Sequence, residues 1–201
     1  MSTTQPRLLP SLLVVTDSGQ TGGKALIDVV GEAISGGARA VLLREKHLPR
    51  SERADLADAL YDRLDAVGGV LLVGSDPTLR AHGVHLGAAD PLPTAEPRWY
   101  GRSCHRRDDV ERAEAEGCSY ATLSPIFASA SKPGYGPALT PAALGALPLP
   151  TWALGGVDAA NARVCLDAGA AGVAVMGAIM RATDPAATTA AILDAIRSTP
   201  Q

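Results

Sequence analysis

Eight short apolar runs, each shut off by glycine, proline or aspartate, recur along this chain and restrict its architecture before any single residue is considered. They cover residues 12–16, 40–44, 69–73, 83–86, 99–103, 120–124, 152–154 and 172–176. Unbroken Val, Leu and Ile runs of that length read as strands buried on both faces, the pattern of a parallel sheet. Stretches with helical period separate them at 24–35, 51–66, 108–116, 141–147, 158–168 and 185–197. Their starts carry capping chemistry: Ser51 precedes Glu52, Asp158 opens an Ala-rich stretch, and Asp184 stands before a first-turn proline, Pro185. Gly36-Gly37, Gly68-Gly69, Gly117 and Gly169 stand where left-handed terminators belong.

The fold this implies is α/β, a single compact (β/α)8 TIM barrel filling residues 1–201 as one domain, with one or two helices shortened or missing. An open doubly wound sheet is the rival. It calls for a G-x-G-x-x-G turn after the first strand, whereas Asp17-Ser18-Gly19-Gln20 runs into Thr21-Gly22-Gly23 with the wrong spacing. Hydrophobic residues make up 46% of the chain but aromatics only 3%, so the core is built of small aliphatic side chains around many glycines.

Several function classes fall away. A net charge of -3, with no more than two basic residues in a row, leaves no footprint for nucleic acid. Cys104, Cys118 and Cys165 are odd in number and lack C-x-x-C spacing, which points to reduced thiols rather than to a disulfide frame or a zinc site. Pro6 and Pro10 interrupt the first residues, so no signal peptide is expected, and the longest apolar stretch, 170–180, is too short for a bilayer. A cytoplasmic enzyme without a membrane partner is the expectation.

In a parallel barrel the residues just past each strand meet at one rim, and polar groups accumulate there in this sequence. Gly155 and Gly156 after the seventh strand, with Met176, Gly177 and Ala178 after the eighth, form a candidate phosphate cradle, because a backbone without Cβ lets an anion reach the amides. The same glycines would also suit a tight turn and nothing more. Arg44 and Lys46 alternate along an extended strand end with Glu45 turned opposite, which suits a diphosphate or, more simply, a solvated charged face. Lys132, in a Ser-rich loop, could add a third cation. Asp90, with Asp76 as a second, could bind Mg2+, which takes one or two carboxylates plus substrate phosphates; either could instead cap a helix. His105 could move a proton or orient phosphate, while the neighbouring Cys104 points the other way, into the core. His47, His82 and His85 read as structural.

With those positions marked, the chain resembles the thiamine-phosphate synthase and TenI family over nearly its whole length. The resemblance rests on Leu13-Val14-Val15-Thr16-Asp17, Leu43-Arg44-Glu45-Lys46, Gly83-Val84-His85-Leu86-Gly87 followed by Asp90, and Gly101-Arg102-Ser103-Cys104-His105. It continues through Ser124-Pro125-Ile126-Phe127 to Lys132, Leu154-Gly155-Gly156-Val157 and Gly172-Val173-Ala174-Val175-Met176. The resemblance implies a TIM barrel that joins a phosphorylated aminopyrimidine, as its diphosphate, to a thiazole phosphate, with Mg2+ assisting loss of pyrophosphate. Arg44, Lys46, Asp90, Ser103 and Lys132 match positions that bind diphosphate and metal, so Lys132, Ser103 and His105 are the catalytic candidates. Ser129, Ser131, Gly156 and Gly177 match the thiazole-phosphate side, where the family usually has threonine at two and serine at one.

Two departures stand out: Leu42 where the synthases usually carry glutamine, and Gly74-Ser75 where they carry an Asn-Asp pair. They keep two other readings open. One is a TenI-type thiazole tautomerase, which needs no cofactor and would use His105 for proton transfer. The other is a non-catalytic paralogue that binds the same phosphorylated ligands. The retained Arg44, Lys46, Asp90 and Lys132 favour the synthase. Homodimers are common among such barrels.

Overall fold

The structure, a computed structural model, describes residues 9–93, 99–128 and 138–198. Eight strands, β1 (Leu12–Val15), β2 (Ala40–Leu43), β3 (Val70–Gly74), β4 (Gly83–Leu86), β5 (Trp99–Cys104), β6 (Tyr120–Leu123), β7 (Thr151–Leu154) and β8 (Gly172–Val175), close into a barrel in sequence order. Every pairing is parallel, and β1 completes the ring against β8 through Leu12 to Val14 facing Val173 to Val175. Among the described residues six α-helices follow the strands: α1 (Leu26–Ser35), α2 (Arg50–Asp65), α3 (Arg107–Ala115), α4 (Ala162–Asp167), α5 (Gly177–Met180) and α6 (Pro185–Arg197). No helix among the described residues is long and apolar enough to cross a membrane.

Strand alternation sorts the core into two layers. Leu13, Val15, Ala40, Leu42, Leu72, Trp99, Tyr120, Trp152 and Ala174 fill the barrel interior. Leu12, Val14, Val41, Leu43, Leu71, Val73, Val84 and Leu86 turn outward onto Val29, Val30, Leu60, Leu64 and Ile192 of the helices. Three of the aromatic residues, Trp99, Tyr120 and Trp152, are inside the barrel, while Tyr61, Tyr100 and Phe127 pack on the outer layer. Tyr120 meets Trp152 edge to face at 5.8 Å between centroids, and the Trp152 indole nitrogen donates to Pro10 O at 3.0 Å.

Three local expectations change. The stretch at 141–147 is only a 3₁₀ turn, Pro141–Leu144, because Gly145 takes an extended conformation and Pro148 and Pro150 forbid continuation. Asp158 does not open a helix; its carboxylate accepts from Ala160 N, and α4 waits until Ala162. Helix α2 begins one residue before Ser51, with Pro49 at its cap and no side-chain cap bond. Asp184 does cap α6, accepting from Ala187 N at 2.8 Å. Between β3 and β4 there is no helix, as the short connection predicts. Gly37, Gly68, Gly117 and Gly169 all hold positive φ just past their helices.

Candidate active site

Two groups of side chains sit at the carboxyl ends of the strands. The first lies over β2 to β5. Arg44 continues the inward parity of Ala40 and Leu42 and is half-buried, its amide held by Thr16 Oγ1 at 2.9 Å. Glu45 turns the other way and is buried, accepting from Ser18 N at 3.0 Å and from the Ser18 hydroxyl at 2.6 Å. Lys46 is exposed. The opposition of Glu45 to the two cations thus holds, and it gives Arg44 a fixed root and Lys46 a free reach.

Asp90 carries the acidic charge of this group. One carboxylate oxygen accepts from the Ser75 hydroxyl at 2.5 Å and from Gly87 N at 2.7 Å. Burial pushes the carboxyl up, but those two hydrogen bonds and the Lys46 and Arg102 charges outweigh it, so the net shift is downward and Asp90 stays ionised. Its loop is held by Arg102, a buried guanidinium that donates to Gly87 O, Ala88 O and Asp90 O and pairs with Glu116 at 2.7 Å. Asp76 is placed elsewhere. Its carboxylate accepts from Thr78 N and Oγ1 and pairs with Arg50 and Arg53 of α2, at 3.4 and 3.7 Å. Ser75, with a positive φ of 63°, supplies the oxygen beside Asp90 instead.

Ser103 points inward from β5, and beneath it runs a buried chain that inspection of the sequence missed. His85 Nε2 lies 3.0 Å from Ser103 Oγ, and His85 Nδ1 lies 2.9 Å from the Tyr120 hydroxyl. Burial, reinforced by the Arg44, Lys46 and Arg102 charges and only partly opposed by Asp90, lowers His85 from 6.5 to about 3. Burial raises Tyr120 well above its usual value. Both groups are therefore neutral near pH 7. The neutral ring carries a single proton, so it donates in one of these contacts and accepts in the other, and the three side chains fix one another's orientation beneath the mouth. The signal in the sequence is the inward parity of His85 on β4, level with Gly101 and Tyr120 and one inward step below Ser103.

That depressed pKa has a consequence for stability. Between pH 6.5 and about 3 the unfolded chain protonates His85 and the folded chain does not, so the stability present above pH 6.5 is lost as pH falls through this window. Denaturant midpoints measured from pH 7.5 to 4.5 are expected to fall more steeply for the native chain than for His85→Gln, while equal slopes would show that His85 titrates normally.

His105 stands past β5, its Nδ1 donating to the Ser124 carbonyl at 2.9 Å. Asp109 accepts from the His105 and Arg106 amides at 2.9 and 3.2 Å and so fixes the turn into α3. Cys104 faces the core, where burial pushes its thiol up to about 12 and leaves it inert.

The second group surrounds a cavity of about 360 Å³ at the ends of β7 and β8, lined by Gly155, Gly156, Asp158, Gly177, Ala178 and Arg181, with Met176 also on its wall. Gly155 and Gly156 have φ of 96° and 66°, and a Cβ on Gly156 would come 2.5 Å from Ala128 O. The glycines are required for close packing on Pro125 to Ala128, and they also line the cavity. Ser129, Ser131 and Lys132 lie outside the described residues.

Comparison with known proteins fits this barrel. The profile of the thiamine monophosphate synthase family matches residues 12–179. The chain belongs to that family. It is 35% identical over 210 residues to a thiamine-phosphate synthase of Roseiflexus castenholzii, spanning 95% of this chain and 92% of that protein. A thiamine-phosphate synthase of Methanoculleus marisnigri is 37% identical over 200 residues, spanning 92% and 94%. Among solved structures, thiamine phosphate pyrophosphorylase from Pyrococcus furiosus superposes with a TM-score of 0.82 at 26% identity, covering 92% of this chain and 95% of that one.

Proposed function

We propose that this chain is a thiamine-phosphate synthase, joining an aminopyrimidine methyl diphosphate to a thiazole phosphate with release of pyrophosphate. The observation that carries the reading is the family match over residues 12–179, together with relatives named as synthases over nearly their full length. The C–O bond between the pyrimidine methylene and the diphosphate breaks, and its electron pair leaves with pyrophosphate. The thiazole nitrogen lone pair then forms the new C–N bond to the methylene cation.

Each residue group has a part in this. Arg44 and Lys46 hold the diphosphate and take up the negative charge that grows as it leaves, with Lys132 as the third cation. The donor set near Asp90 fits Mg2+ brought in mainly by the diphosphate: one ionised carboxylate with a hydroxyl beside it, and among the described residues no cluster of three or more potential ligands. Bound there, Mg2+ would neutralise diphosphate charge. Ser103, oriented by His85, donates to the pyrimidine diphosphate. The cavity at β7 and β8, with Ser129 and Ser131, receives the thiazole phosphate. His105 is close enough to the Ser124 turn to order the wall between the two ends.

The test is pyrophosphate release from both phosphorylated precursors, with Mg2+ and again with excess chelator. Turnover that drops by about tenfold or more on chelation is expected. Conversion of the thiazole alone to its tautomer, undiminished by chelator, would replace this reading with the tautomerase.

A further inference from the structure

Two charged residues that neither the sequence motifs nor the family correspondence mark line the cavity at β7 and β8, Asp158 and Arg181, and the second is the only cation among the described residues that line it. Arg181 stands just past α5. Its guanidinium lies alongside the Cα of Gly177, so that a Cβ built there would stand 2.7 Å from Cζ and closer still to both terminal nitrogens. Any side chain at position 177 would expel it. The guanidinium is also aimed from the opposite rim: Arg181 Nη1 donates to Gln20 Oε1, and Gln20 Nε2 donates to Asp17 Oδ2 at 2.6 Å. Asp17 is itself fixed by accepting from Gly19 N at 3.1 Å.

We propose that Arg181 is a phosphate ligand of this cavity, and that glycine at position 177 exists to admit it. The inference rests on the reading of the cavity as the thiazole-phosphate end. At Gly177 this chain has bare backbone, and the guanidinium fills the space a side chain there would take. A planar, permanently charged fork offers paired donors to a phosphate. The contact from Gln20 holds the fork over the cavity before ligand arrives, which lowers the ordering cost of binding.

Calorimetric titration with inorganic phosphate tests this without any need for turnover, on the native chain, Arg181→Met, Gly177→Ser and the double variant. Arg181→Met is expected to weaken phosphate by about tenfold or more, the loss typical of a charge-assisted pair. Gly177→Ser should weaken it as well, by displacing the guanidinium, and the double variant should regain part of the affinity through the new hydroxyl. In the coupled assay Arg181→Met should raise KM for the thiazole phosphate by a similar factor and leave KM for the pyrimidine diphosphate within about twofold. Phosphate affinity unchanged in Arg181→Met, an equal rise in both KM values, or no phosphate binding by the native chain would each overturn the assignment. Arg181-dependent phosphate binding in a protein that forms no thiamine phosphate would instead sink the proposed activity and leave this ligand standing.

Discussion

Asp90→Asn is expected to lower Mg2+-dependent pyrophosphate release about a hundredfold while moving the melting temperature by no more than about 2 °C. The asparagine oxygen can still accept from Gly87 N, and Arg102 still grips the loop through the Gly87, Ala88 and Asp90 carbonyls, so the shape of the loop is kept. What disappears is one negative charge facing Lys46 and Arg102. Without it, the mouth is a purely cationic patch that still attracts diphosphate but has no carboxylate to seat Mg2+ against it. Binding of the pyrimidine substrate should therefore survive better than turnover, and the Mg2+ concentration giving half the maximal rate should rise. A rate within threefold of the native chain, at the same Mg2+ requirement, would remove Asp90 from the site.

The same variant bears on Asp76, the other carboxylate expected to serve the metal. The residues around the two aspartates do not separate them, because both follow strands and both precede proline; only the resemblance marks Asp90. Separation comes from long-range contacts: α2 brings Arg50 and Arg53 onto Asp76, and neither residue is near it in the chain. The barrel itself was legible for the opposite reason. Its strands are local runs, their order is the order of the chain, and each parallel pairing joins sequence neighbours apart from the β1–β8 closure. Element ends moved by a few residues wherever a turn, as at Pro141–Leu144, was held by proline and glycine rather than by apolar period.

Parity along the strands was the neglected signal. Once Leu42 is known to face the interior, the residues two and four places on from it, Arg44 and Lys46, continue along the mouth, and Gly74 on β3 follows Leu72 inward in the same way. The missing side chain at Gly74 lies against Arg44, with its absent Cβ 3.8 Å from Arg44 Cγ. The two departures from the family pattern, Leu42 and Gly74, are thus on adjacent strands facing one lumen. Relative to the pattern that the resemblance implies, they exchange two amide side chains for an aliphatic surface beside Arg44. The same count along β4, β5 and β6 would have placed His85, Ser103 and Tyr120 together. A lone histidine on a strand of an apolar barrel is ordinarily a packing residue, so the sequence by itself does not single out this contact.

Gly101→Ala carries the largest expected effect on stability, and it reaches the site through that same layer. Gly101 pairs with Tyr120 in the β5–β6 register, both facing inward. A Cβ at 101 would sit 2.7 Å from Tyr120 Cε2 and closer to Cζ and Cε1, inside the ring's own van der Waals surface. The ring has nowhere to go. Trp152 abuts it edge-on, its hydroxyl is held by His85, and Tyr120 is almost fully buried. Overpacking of this kind costs about 1–3 kcal/mol, which for a chain of this size lowers the melting temperature by roughly 3–10 °C. Displacing the phenol also releases His85 Nδ1 and, through Nε2, the orientation of Ser103, so turnover should fall with stability. Tyr120→Phe separates the two effects: it keeps the ring and loses only the bond to His85, and should reduce turnover with a smaller fall in melting temperature. Tyr120→Leu supplies the decisive comparison, because a smaller side chain leaves room for the added methyl. Calorimetry on the native chain, both single variants and Gly101→Ala/Tyr120→Leu should then show strong non-additivity, with Gly101→Ala costing little once the ring is gone. Additive losses would mean that the methyl and the ring do not compete for the same space, and the proposed link from barrel packing to Ser103 would fail with it.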